Sequence, residues 1–294
     1  MQGSGTVQLS WHDGIESFLQ ETLEHLEREE ARHNLLLGLA LILQEHPDAW
    51  DEVFLVTVRA GRDLAAAGLM TVPANLILYT APGVDLEETL SCLANGFLEG
   101  GIALPGVTAP AAVCQRFAAL WAELTGCRAE LEMPMRLYEL RQVTAGVIGE
   151  GSLRLAREED LDFVIGAIAS FERDAGLNSA PDLERIGRLA RRLVARRGLY
   201  LWEHGDRIVS MAAKTRPTRH GISINHVYTP QGLRRRGYAT SCVAALCQLL
   251  LDEGYQFCTL FADLNNPTSN SIYQRIGFRP IGDFAGYTFG SDGP

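Results

Sequence analysis

The residues best placed to do chemistry stand together from Val227 to Thr240, in the stretch VYTPQGLRRRGYAT. A β-branched and aromatic run from Ile222 to Thr229 stops at Pro230, turns through Gln231 and Gly232, and passes Arg234, Arg235 and Arg236 before an apolar helix begins near Ala239. The first N–H groups of a helix have no intrahelical partner and lie at the positive end of its dipole. A strand that feeds such a terminus through a basic glycine turn is suited to hold a phosphate. Gly237 lets the backbone approach the anion with no Cβ in the way, Ala239 is nearly as small, and the three arginines add charge-assisted donors. The spacing lacks the lysine-then-Ser/Thr ending of a Walker loop and the three glycines of a dinucleotide fold. A run of three arginines also fits a separate phosphate or plain surface charge.

The pattern Q/R-x-x-G-x-G/A, here Arg234-x-x-Gly237-x-Ala239, resembles motif A of the GNAT acyltransferases, whose turn holds the pyrophosphate of acetyl-CoA. Further on, NPTSNSIYQRIGF, from Asn266 to Phe278, resembles motif B of the same superfamily, with its Asn, its helical Tyr and its terminal Gly-Phe. The resemblance covers about Leu153 to Phe289. It implies that Val227, Tyr228 and Thr229 lie along the pantetheine arm and that Arg234, Arg235, Arg236, Gly237, Tyr238, Ala239 and Thr240 cradle the pyrophosphate. Asn266, Ser269 and Asn270 would bond the pantetheine amides, although Asn266 and Ser269 are also ordinary helix-capping residues. Tyr273 matches the motif B tyrosine against the cofactor; a phenol of pKa about 10 is protonated at neutral pH and can donate to a leaving thiolate. Its plainer reading is a core aromatic. The general base stays open between His226 on the motif A strand, Glu172 in SFERDAG, and water. At Arg235 the turn departs from the many relatives that carry glycine there.

Together these imply an N-acetyltransferase that moves the acetyl group of acetyl-CoA to a primary amine, directly, in a ternary complex. The acceptor is a small molecule, an amino acid or a protein amine; its pocket falls to variable loops, here Arg173 to Pro181 and Arg216 to Gly221. A different acyl group on the same scaffold, or an acyl-CoA sensor without turnover, are the competing readings.

These residues need a scaffold, and the periodicity supplies one. Apolar residues recur at three and four from Ile15 to about Leu43, ended by Pro47. Runs at 53–58, 64–71 and 76–79 read as a meander, Asp85 caps a helix to about Leu98, and Ile102 to Val107 reads as a strand. A helix over 109–124 and a strand over 135–143 follow. The order then repeats: helices over 161–175 and 182–197, strands over 199–203, 207–215 and 221–229, a helix over 239–253, a strand over 258–261, a helix over 269–276, and a last strand to Phe289. The sequence therefore predicts an α/β (α+β) fold of two tandem GNAT-like domains, each a mixed, mainly antiparallel sheet flanked by helices. They occupy residues 1–145, a degenerate copy, and 146–294, the catalytic copy, with the break in the glycine-rich stretch AGVIGEGS. Where motif A falls in the first copy stands TAPGVD, without an arginine.

Composition limits the alternatives. The 294 residues are 47% hydrophobic and 21% charged, a globular balance with room for two cores. The net charge of −10 is uneven: Met1 to Ala145 holds 8 basic and 20 acidic residues, so −12, and the remainder 18 and 16, so +2. That disfavours a nucleic-acid binder and mildly favours a cationic partner. The longest apolar run, Leu35 to Leu43, is too short to span a membrane, and the N-terminus, whose first five residues resemble a cloning scar, has no signal-peptide pattern. A cytoplasmic protein is expected. Cys92, Cys114, Cys127, Cys242, Cys247 and Cys258 show neither metal-ligand spacing nor a disulfide framework, and read as reduced and mostly buried. A homodimer is compatible with the sequence and not written in it.

Overall fold

The computed structural model of the protein describes residues 7–174 and 180–290. Within them the chain forms two compact units. The first takes the chain up to Leu137, with Ala262–Asn265 and the stretch from Ile281 onward; the second takes Tyr138–Phe261 and Asn266–Pro280.

One order of elements occurs twice. The first pass runs β1 (Val7–Trp11), α1 (Ile15–Glu27), α2 (Glu30–Glu45), β2 (Val53–Ala60), β3 (Asp63–Thr71), β4 (Leu76–Thr80), α3 (Leu86–Glu99), β5 (Gly106–Pro110), α4 (Ala111–Thr125) and β6 (Arg128–Leu140). The second runs β7 (Ser152–Leu155), α5 (Leu161–Asp174), α6 (Leu183–Ala195), β8 (Leu199–His204), β9 (Arg207–Thr215), β10 (Gly221–Tyr228), α7 (Tyr238–Asp252), β11 (Phe257–Asp263), α8 (Pro267–Ile276) and β12 (Arg279–Gly290). The strand pairing of each pass is mixed and mainly antiparallel: β1 to β4 form an antiparallel run and β5 joins β4 in parallel, as β7 to β10 do and β11 joins β10.

In the first unit β2 separates two apolar layers. Val56 and Val58 pack with Leu93, Phe97 and Phe117 of α3 and α4, while Leu55 packs with Phe18, Leu26 and Leu37 of α1 and α2. Alternation sends successive side chains to opposite faces, and both faces are covered. In the second unit Val164, Ile168, Ile186 and Ala190 of α5 and α6 pack on Leu199, Leu201 and Met211 of the sheet.

Several expected elements lie elsewhere. The helical pattern of Ile15 to Leu43 is two helices, with a break after Glu27, where the charged stretch gives no apolar reason to continue. The strand expected at Ile102 to Val107 is β5, at Gly106–Pro110, held in place by antiparallel pairing with Phe284 to Thr288 of β12. β6 starts at Arg128 instead of Met135. β1 and β7 were not expected. β1 adds to β2 and sets Leu9 on α3 so closely that a Cβ at Gly96 would stand 2.3 Å from it.

The expected single break at residue 145 does not describe the chain path. β12 belongs to the first unit: it pairs with β5, the Cys114 thiol donates to the Ala285 carbonyl at 3.0 Å, and Arg136 of β6 grips Asp283 through two bonds of 2.7 and 3.0 Å. The first unit is thus completed by the last strand of the second repeat.

Candidate active site

The geometry begins at the point where β10 leaves β11. The two strands pair in parallel at Gly221–Phe257, Ile222–Cys258 and Ser223–Thr259. Beyond Ser223 β10 changes course: its register against β9 shifts between Asn225 and Tyr228, and His226 sits at φ 49, a left-handed conformation costly for a residue with a Cβ. The Asn225 carboxamide oxygen accepts the His226 N–H at 2.8 Å, and so stabilises the bulge from within. Val227, Tyr228 and Thr229 follow past the last parallel pair. Ser210 fixes them, donating to the Tyr228 carbonyl at 3.0 Å and sharing a hydrogen bond with the Thr229 hydroxyl at 2.9 Å.

After the turn, α7 opens without a cap. Gly237 is its N-cap residue, at φ 82, a conformation glycine adopts freely. No side chain caps the helix and no acidic residue occupies its first turn. The Ser241 N–H is bonded to the Gly237 carbonyl, so the N–H groups of Tyr238, Ala239 and Thr240 precede the first helical bond. A Cβ at Gly237 would meet nothing within 4 Å, which leaves the approach to those donors open. Of the three arginines, Arg234 holds the turn: Nε donates to the Thr229 carbonyl at 3.1 Å, the guanidinium lies 5.5 Å above the Tyr228 ring, and Nη2 pairs with Asp174. Arg235, at φ 63, occupies the strained position where glycine would be natural; Arg235 and Arg236 are exposed. These donors fit an anionic group such as the pyrophosphate of a nucleotide cofactor.

The motif B residues are tied more tightly to the protein than their spacing reveals. Asn266 caps α8, its side-chain oxygen accepting the Ser269 N–H at 3.1 Å. Asn270 accepts from the Tyr138 hydroxyl at 2.7 Å and donates to the Asn266 carbonyl at 2.8 Å. Tyr138, fully buried on β6 with its ring 6.3 Å from that of Tyr273, is a site neighbour that sequence reasoning missed; nothing in MRLYEL marks it. Tyr273 is buried, and desolvation, reinforced by the Cys247 thiol, pushes its hydroxyl well above the ordinary phenol value. Its hydroxyl stays protonated at any physiological pH.

The charge of one candidate base, Glu172, reaches the other, His226. Burial, with Arg216 adding to it, lowers His226 to about 4, and Glu172 opposes the shift. Glu172 pairs with Arg185 through Oε1, while its Oε2 and the Nδ1 of His226 are both buried without a hydrogen-bond partner among the described residues. Arg216, which opens the second expected acceptor loop, is at φ 47, donates to Ser223 at 3.1 Å and is lowered to about 10 by burial. Of the expected acceptor loops, Thr218 closes the second by accepting the Gly221 N–H at 3.2 Å; residues 175–179 of the first lie outside the described residues.

Comparisons with known proteins bear on the fold and the family. The model of the Acetyltransferase (GNAT) family matches residues 164–278. No curated protein matches. Among solved structures, a Drosophila protein aligns at TM-score 0.69 and 13% identity, over 99% of this chain and 100% of its own. A GCN5-related N-acetyltransferase from Sphaerobacter thermophilus aligns at 0.62 and 15%, over 98% and 97%. A tandem GNAT protein from the clavulanic acid biosynthesis pathway aligns at 0.56 and 13%, over 98% and 99%. At these identities the likeness is one of fold, and it extends to a two-domain layout.

Proposed function

We propose, from the match of the Acetyltransferase (GNAT) family model to residues 164–278, that the protein transfers the acetyl group of acetyl-CoA to a primary amine, directly, within a ternary complex. The observation that carries this reading is the open, uncapped start of α7, with Gly237 at its head and no carboxylate in its first turn, just past strands that have parted. The pyrophosphate lies on the N–H groups of Tyr238, Ala239 and Thr240, with Arg235 and Arg236 to add charge and Arg234 to hold the turn. The pantetheine arm runs along Val227 to Thr229, with Asn266, Ser269 and Asn270 at its far side.

Glu172 and His226 receive the amine. Held neutral by burial, His226 offers Nδ1 as an acceptor, and the open Glu172 oxygen supplies negative charge for an ammonium ion. The amine nitrogen bonds to the thioester carbon, the carbon–sulfur bond breaks, the amine gives its proton to this pair or to water beside it, and Tyr273 protonates the departing sulfur. The six free thiols support a reducing, cytoplasmic setting.

Titration calorimetry tests the cradle: wild type binds acetyl-CoA, and a variant with Arg234→Ala, Arg236→Ala and Gly237→Val does not. If neither binds, the reading fails. If both bind, the anion lies elsewhere. Thiol release with a panel of amines then separates a transferase from an acyl-CoA sensor, which would bind without turnover.

A further inference from the structure

The first unit has its own cleft of about 1290 Å³, larger than the ~300–1,000 Å³ usual for a small-ligand site. It opens where β4 leaves β5. The two strands pair in parallel only at Leu76–Val107 and Ile77–Thr108, while β4 stays on β3 as far as Thr80 and β5 stays on β12 as far as Pro110. The Ala81 N–H bonds the Ala65 carbonyl on the β3 side. Alternation along an antiparallel strand then turns the Leu78 carbonyl and both backbone groups of Thr80 the other way, into the gap. Leu26, Leu36, Leu78, Val113 and Phe284 line it with apolar surface.

The ends of the two clefts differ in sign. In the second unit the helix past the splayed strand begins uncapped, behind arginines. In the first, α3 begins on Asp85, whose carboxylate accepts the Glu88 N–H at 3.0 Å, and Glu87 and Glu88 occupy its first turn. A pyrophosphate there would meet fixed negative charge in place of free donors. Asp63 and Glu88 line the cleft without an ion-pairing cation among the described residues. Arg28 and Arg32, also at its rim, are each turned to a glutamate, Glu24 at 2.8 Å and Glu29 at 3.4 Å.

A strand edge left unpaired past Ile77, an apolar lining and an acidic rim together select an extended chain with amides, apolar side chains and positive charge. We propose that this cleft binds a short, extended, cationic peptide segment, added as a strand along β4 at Leu78 and Thr80, with side chains alternating between the apolar lining and the Asp63 and Glu88 carboxylates.

The test uses the full chain and a blocked hexapeptide alternating valine and arginine, labelled for fluorescence anisotropy. Without a primary amine it is no substrate for acetyl transfer, so its binding is read apart from the second unit's chemistry. Binding is expected in the micromolar range. It weakens about tenfold or more when Asp63→Lys and Glu88→Lys are combined, and falls as salt is raised. Val113→Trp, which fills the apolar side and leaves the rim intact, also weakens it, and the Arg234/Arg236/Gly237 variant leaves it unchanged. The proposal is overturned if the peptide does not bind at millimolar concentration, if a valine–glutamate peptide binds equally well, or if coenzyme A displaces the peptide from the Arg234/Arg236/Gly237 variant.

Discussion

Tyr273 and His226 are both buried, and burial acts on them in opposite ways. It keeps the Tyr273 proton in place, since the phenolate has no compensating cation there. Tyr273→Phe is therefore expected to lower kcat by about 10²–10⁴ with the Kd for acetyl-CoA little changed, measured by thiol release and calorimetry side by side; a lost Kd with it would mark a packing role. For His226, burial and Arg216 favour the neutral ring, with a folded value of about 4 against about 6.5 unfolded. Between those values the unfolded chain binds the proton and the folded one does not, so stability falls as pH drops from about 6.5 toward 4. The loss reaches about 3 kcal/mol at most. His226→Asn should flatten that slope in denaturant titrations at several pH values, and a slope that survives the substitution would place the titrating group elsewhere. Tyr273 was legible from its spacing to Asn266. Tyr138 was not, and Arg216 was visible only as the start of an expected acceptor loop, because only packing brings their side chains to the site.

Among the elements, the short strand β7 is fixed by charge. Arg154 donates to both oxygens of Asp160 at 2.7 and 2.8 Å and to Glu203 of β8 at 2.7 Å, and the Arg157 N–H bonds Asp160 at 2.8 Å. Asp160 is only 5% exposed. The Arg154 guanidinium holds its carboxyl below the usual carboxylate range, so its contribution is complete above about pH 4 and is lost as pH falls through the lowered folded value. Asp160→Asn leaves Arg154 a partner short and should cost about 3 kcal/mol of the second unit's stability at neutral pH, read from chemical denaturation. A change under about 0.5 kcal/mol would mean that Glu203 compensates. The α7 terminus lies at this scale too. Its register was visible in the sequence as a strand, a glycine turn and an apolar helix, whereas the bulge at His226 needed β9 and the parting from β11 to become visible.

At the scale of the molecule, the chain makes two units from two repeats but does not cut them cleanly. Phe284 and Ala285 of β12 are buried in the first unit, and Phe289 packs on Trp121 with ring centroids 6.0 Å apart. A chain ending at Pro280 lacks that strand, exposes the β5 edge and gives up several apolar side chains, on the order of 5 kcal/mol. The first unit of such a chain is expected to unfold at a lower temperature than in the full chain and to be cleaved first in limited proteolysis. Unchanged protection of its helices would show that β12 is dispensable.

By itself the sequence determined what depends on neighbours a few residues apart: the helical and strand periods, the Asp85 cap, the glycine turn, the spacing of Asn266 to Tyr273, and hence the repeat and the family resemblance. Such features follow from local sterics and hydrogen bonding, which the order of residues already contains. Tertiary structure alone decided what depends on partners far along the chain. It placed β5 against β12, set Tyr138 on Asn270, and brought Glu172 and Arg216 near enough for their charges to act on His226. A side chain's desolvation and its unpaired atoms are properties of the space around it, and that space exists only once the chain has closed.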